Sequence, residues 1–234
     1  MLAAALVTAL VTARLGVWQL SRAAQKEALQ ASIDERRGLP ALTTETLALD
    51  TAAAAGQHHR AVVVQGRWVP GHTVLLDNRQ MNGRPGFFVV TPLRLADGSA
   101  VIVQRGWQPR DAADRTRVVM PPTPAGEVRI SGRIAPPPAR LYEFDGASQG
   151  PIRQNLDMAT YAVETGLALR PLSVVQEDAS AAEAGADGLL RQWSRPAADV
   201  HKHYGYAFQW FALSALVIGL YVWFQLIRPR RRSA

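Results

Sequence analysis

The chain contains no cysteine, which removes disulfide staples, thiolate metal sites and cysteine nucleophiles together. Other marks of an enzyme are also missing. The five histidines (His58, His59, His72, His201 and His203) never fall at HExxH or comparable metal-ligand spacing. There is no GxSxG elbow, no serine beside a lysine and no pair of carboxylates in apolar surroundings, since Asp77 and Asp145 stand alone. No glycine-rich phosphate loop, low-complexity run or internal repeat occurs. Nothing in the residues points to catalysis, and the chain is read as a non-enzyme. The net charge of +7 resembles a nucleic-acid signal until Arg228, Arg230, Arg231 and Arg232 are set aside. The remainder is a modest, dispersed excess, and no nucleic-acid partner is expected.

Two long apolar stretches, one at each end of the chain, carry the strongest pattern. From Tyr204 to Ile227 no residue is charged, and about 24 helical residues at about 1.5 Å each cross a hydrocarbon layer of about 30 Å. Tyr204, Tyr206, Trp210 and Phe211 crowd one end and Tyr221, Trp223 and Phe224 the other, as rings at headgroup level do. The terminal arginines keep residues 228–234 cytoplasmic, so the chain enters this helix from the outer side. Residues 1–20 are expected to form the first span, with Arg14 snorkelling toward the side of Arg22. The competing reading is a signal peptide cleaved near Val11-Thr12-Ala13, which lacks the usual charged leader. The abrupt apolar start also suggests an initiation codon upstream of Met1. Beyond Trp18 the pattern turns amphipathic and stays helical to about residue 38, before Pro40.

Between the spans, residues 39–202 read as a globular domain. After an Ala- and Thr-rich stretch with room for one short helix (42–57), strand signals follow at 61–69, 73–78, 87–95, 100–107, 127–134 and 171–177. Pro70-Gly71 is read as the turn of a hairpin joining the first two, residues 81–86 as a loop, and Asp97-Gly98 as a tight turn. A short helix is expected over 156–165, stopped by Gly166, and an exposed loop over 178–188. The fold class is therefore α+β: two transmembrane helices flank an extracytoplasmic, mainly antiparallel β domain, a small barrel or sandwich-like sheet with short helices.

His58-His59 and His72 read as solvated loop residues. His203 and His201 differ, because they stand where the second span begins. A neutral imidazole there either orients the helix end as an interfacial polar residue or serves as an axial ligand to haem iron, with Tyr206, Phe208 and Trp210 packing on the macrocycle. Arg105 reads as a surface charge at a strand end. Alternatively Arg22 and Arg105 meet carboxylates, from a partner or from haem propionates.

Five strings in order, Leu15-Gly16-Val17-Trp18-Gln19-Leu20 with Arg22 and Lys26, His59–Gly66, Gly86–Pro92, Val101–Arg110 and His203–Trp210, resemble the surfeit-locus-one (Surf, Shy-type) assembly factors of cytochrome c oxidase. The resemblance implies a two-span protein of a bacterial inner membrane, with both termini cytoplasmic and the large domain periplasmic. It also implies a role in maturing the haem a-containing catalytic subunit, with that subunit, the haem a synthesis machinery and the lipid bilayer as partners. His203 then corresponds to the proposed haem a ligand, with His201, Tyr206, Trp210 and Arg105 as further candidate contacts. Many relatives carry asparagine where this chain has His201, which leaves open which imidazole faces the haem. The alternative is a membrane-anchored scaffold that stabilises an oxidase intermediate without binding haem. A reporter active only outside the cytoplasm should be active when fused after residue 40 or 200 and inactive after residue 228; the reverse pattern refutes this topology.

Overall fold

The computed structural model describes residues 1–111, 118–142, 150–178, 187–194 and 199–228. Among the described residues the α-helices are α1 (Leu2–Gly38), α2 (Thr51–Gln57), α3 (Met158–Thr165) and α4 (Val200–Val222). The strands are β1 (Leu42–Thr43), β2 (Ala61–Trp68), β3 (Val74–Met81), β4 (Arg84–Arg94), β5 (Ala100–Pro109), β6 (Glu127–Ala135), β7 (Ile152–Arg153) and β8 (Leu169–Gln176). The chain divides into a helical unit, Met1–Ser32 with Arg195–Ala234, and a sheet unit, Ile33–Ser194.

In the helical unit, α1 is rich in Ala, Leu, Gln and Arg, all good helix formers, and meets no proline before Pro40. It runs unbroken. Along α4, Val200, His203, Ala207, Trp210, Ser214, Val217 and Tyr221 are withdrawn from the surface, at alternating steps of three and four that draw one seam along a helix. The matching seam on α1 is Ala5, Ala9, Thr12, Gly16, Gln19 and Ala23. Gln19 meets His203 while Ala9 meets Ser214, so the helices run antiparallel. Small residues dominate the α1 side, and a Cβ on Gly16 would lie 2.8 Å from the ring of Phe211, the kind of small-residue contact apolar helix pairs use. The buried hydroxyls are satisfied internally: Ser214 Oγ donates to Ala9 O at 2.9 Å, and Thr12 Oγ1 lies 2.8 Å from Thr8 O and 3.0 Å from Ala9 O. Two helices, Leu2–Gly38 and Val200–Gln225, each hold an 18-residue window long and apolar enough to cross a membrane, with mean hydropathies of 1.5 and 1.7 over those windows. After Val222 the helix widens into one π turn, Trp223–Ile227. Residues 230–232 of the basic tail lie outside the described residues.

The sheet unit is one eight-stranded sheet in the order β1-β2-β6-β8-β5-β4-β3-β7, with β2 also pairing to β4. That extra pairing closes β2, β6, β8, β5 and β4 into a small barrel. The sheet is mainly antiparallel, as expected, but mixed, because β1–β2, β3–β7 and β5–β8 are parallel. Val62, Val64, Trp68, Leu93, Val101, Val103, Ile130, Ile134, Leu172 and Val174 fill the barrel, with Leu47, Ala48 and Ala54 from the segment around α2. On the outer face α3 lays Tyr161 against Val74, Leu76, Val90 and Ile102, and Gly166 ends that helix in the left-handed region at φ 66°.

Two expectations are corrected. β2 and β3 do not form a hairpin. Both lie along the 11-residue β4: Trp68 pairs Leu93, Val69 N–H donates to Pro92 O, and Val74 pairs Val90. Pro70-Gly71 bends one continuous edge instead of reversing it. The hairpin lies where a loop was expected, at Asn82-Gly83, with φ 51° and 74° between Met81 and Arg84, the positive-φ pair of a type I′ turn.

The β2–β4 closure consists of two residue pairs, Arg67 with Arg94 and Trp68 with Leu93. A Cβ on Gly66 would land on the carbonyl oxygen of Arg94, a backbone atom that cannot swing aside. Gly66→Val should lower the stability of the full chain by about 1–3 kcal/mol, the usual cost of overpacking, measured by denaturant unfolding in detergent. An unchanged midpoint would show that the closure tolerates a side chain.

Candidate functional site

The chemistry-bearing side chains of the helical unit gather where α4 begins. Asp199 precedes the helix with φ 68°, and its carboxylate pairs with Lys202 at 3.0 Å. At about 100° per residue, His203, Tyr206 and Trp210 share one face of α4. His201 points about 160° away and Phe208 about 140° away, and both are exposed. This separates the two imidazoles: His203 is half-buried with Nδ1 2.8 Å from Gln19 Oε1 of α1, whereas His201 lies in the open. Tyr206 stands beside His203 and is 53% exposed, Trp210 is half-buried, and Phe208 does not join them. Tyr204 OH donates to Glu27 at 2.8 Å, a further polar tie across the helix pair. On the far side of α1, Arg22 lies 5.6 Å over the Trp18 ring and donates to Gln25. No group of three histidine, aspartate or glutamate side chains able to hold a bare metal ion occurs among the described residues.

Arg105 belongs to the sheet unit and is not a surface charge. The register steps from Val89 opposite Gly106 to Val90 opposite Gln104, so Arg105 is the extra residue of a β-bulge, the device that re-aims a side chain. It is 3% exposed, its guanidinium lies 4.8 Å over Trp68, and it donates to Pro122 O at 2.9 Å. Asp187 lies 3.8 Å away and also pairs with Arg191, which in turn holds Asp178 and donates to Arg105 O. The expected exposed loop over 178–188 falls largely outside the described residues, and its described ends carry these ion pairs. Beyond the bulge Trp107 is fully buried, donating Nε1–H to Arg79 O and exchanging backbone bonds with Leu190.

His58 and His59 are half-buried, not solvated, with ring centroids 6.4 Å apart. Burial, then the charge of Arg36, holds His58 below its ordinary 6.5. His59 is lowered by burial and then by His58, Arg133, Arg36 and Arg37. Glu177, bonded to both Arg37 and Arg133, offsets part of this positive cluster.

The site and fold being thus defined, the comparison with known proteins is specific. The sequence profile of the SURF1 family matches residues 6–215. The chain belongs to the SURF1 family. A SURF1-like protein of Rickettsia felis is 25% identical over 222 residues, 93% of both chains. An uncharacterized SURF1-like protein of Mycobacterium tuberculosis is 29% identical over 225 residues, 94% of this chain and 80% of its own. A SURF1-like protein of Dictyostelium discoideum is 38% identical over 48 residues, 20% of this chain and 18% of its own. The SURF1 match takes in both Gln19 and His203, so it covers the contact between α1 and α4 as well as the whole sheet unit.

The histidine pair sets a pH dependence. In the unfolded chain both imidazoles take up protons near 6.5, while the folded state holds them neutral to lower pH. The unfolded state therefore binds more protons in that window, and stability rises with pH. The contribution is complete above about 6.5 and is lost as pH falls through the lowered folded values. Replacing both by Gln should flatten unfolding midpoints between pH 5 and 7 relative to the parent, all at the ionic strength of about 0.15 M at which exposed charges are screened.

Proposed function

We propose that this SURF1-family protein is a non-enzymatic assembly factor for a haem a-containing cytochrome c oxidase. It sits in a bacterial inner membrane on two spans, with both termini cytoplasmic and the sheet unit periplasmic, where that unit docks the oxidase catalytic subunit. Haem a is its transient cargo, received from the haem a synthesis machinery. The reading is supported by family membership, by two helices of spanning length, and above all by a half-buried imidazole, His203, held at the mouth of the antiparallel pair.

The donor set fits a haem. One neutral imidazole is a sufficient axial ligand. Tyr206 and Trp210 share its face and offer ring surface to a macrocycle, and the group bonded to the imidazole is the neutral amide of Gln19. His203 would hold the haem iron with Tyr206 and Trp210 beside the ring, and a single protein ligand of this kind would suit passage from one protein to another. His201 stands on the opposite side of α4 and serves at most as a ligand for a separate molecule. Arg105 is already committed to Trp68, Pro122 and Asp187 and is left out of the proposed set.

Protein purified in mild detergent from cells making haem a should show a haem a spectrum, and a His203→Ala variant should lose it while His201→Ala retains it. Full occupancy in the His203→Ala, His201→Ala double variant would remove haem ligation from the proposal. Oxidase subunits that still copurify with a haem-free protein would then leave a scaffold role.

A further inference from the structure

We infer that Gln19 of α1 is a positioning residue that fixes the tautomer of His203 and presents its Nε2 as a weak, reversible iron donor. The inference rests on the haem-ligation reading above and adds a residue of the other helix to it. A glutamine side-chain oxygen accepts hydrogen bonds and cannot donate them. Oε1 of Gln19 faces Nδ1 of His203 at 2.8 Å, so Nδ1 carries the proton and the lone pair resides on Nε2. A histidine with Nδ1–H held by an oxygen acceptor and Nε2 bare has the arrangement by which metal-bound imidazoles are oriented by an outer partner.

The identity of the acceptor adjusts the strength of the donor. A carboxylate at this place would pull the Nδ1 proton and push the ring toward imidazolate, strengthening the bond to iron. Glu27, a carboxylate of the same helix as Gln19, accepts from Tyr204 OH instead. A neutral amide holds the ring without that push, which fits a protein that must give its cargo away. The contact also sits in the seam: Gln19 follows Ala9, Thr12 and Gly16 on the α1 stripe and is half-buried, where a lone amide is costly unless bonded. A packing role alone would be met by an apolar residue of the same size.

Two measurements on the full chain in nanodiscs test this. The 15N spectrum of the haem-free protein should show His203 protonated at Nδ1 and bare at Nε2, and Gln19→Leu should mix the two tautomers. Haem a titration, read by the Soret band and by the iron–histidine stretch in resonance Raman, should give a loss of affinity of about 10–100-fold for Gln19→Leu. Gln19→Glu should raise the stretching frequency and slow transfer of haem to added apomyoglobin. A wild-type ring protonated at Nε2, or a Gln19→Leu protein that matches wild type in tautomer, stretch and affinity while His203→Ala loses the haem, overturns the positioning role and leaves haem ligation standing. If wild type and His203→Ala bind haem a equally, the ligation reading fails, and the iron-donor role of Gln19 falls with it even where the tautomer is as stated.

Discussion

Hydrogen bonds across the helix pair tie the two ends of this chain together. Gln19 and His203 are 184 residues apart, and they meet only because α4 returns antiparallel along α1 in a register set by small side chains. Gly16 makes room for Phe211, and Ser214 spends its hydroxyl on the backbone of Ala9. In the proposed bilayer setting no water is present deeper in the pair to satisfy stray polar groups, so the seam has to be both close and self-sufficient. The register that follows from these contacts places an amide opposite an imidazole.

The sheet unit obeys a different constraint. Its barrel is short of strand length for closure, and the long β4 makes up the shortfall by serving two partners on one edge, β3 along most of its length and β2 at the end. The bulge at Arg105 is the counterpart on its other edge. It turns a long cationic side chain inward over Trp68, and the Asp187–Arg191–Asp178 pairs cover it. A buried guanidinium so placed contributes little net stability compared with an apolar replacement, but it fixes the path of residues 187–193 past the end of β5.

Much of this was legible in the residues, for physical reasons. Long uncharged stretches and dense runs such as Ala61-Val62-Val63-Val64 announce helices and strands through local pattern. Gly166 and Asp97-Gly98 announce stops and turns. The misreading came where two turn signals competed. Pro70-Gly71 reads as strongly as Asn82-Gly83, and only the length of β4 decides that the former bends a strand while the latter reverses it. The parallel neighbours β5 and β8 left no trace, since each strand looks the same whichever way its partner runs. At the site, the position of His203 at the head of an apolar helix singled it out, and helical spacing separated it from His201 and Phe208 once the helix was placed. Gln19 stood in one of the recognisable strings without a visible purpose, because the group it serves lies at the other end of the chain. Arg105 looked exposed because a bulge cannot be read from one strand alone.

The parallel pair has a temporal side. Gln104 of β5 bonds Ser173 of β8, 69 positions further along the chain, so during synthesis β5 and β6 wait with bare edges until the last strand emerges. Chains whose contacts are this distant search slowly and stay adhesive meanwhile. α4 is translated only after β8, so the barrel has its final strand before the helix bearing His203 leaves the ribosome.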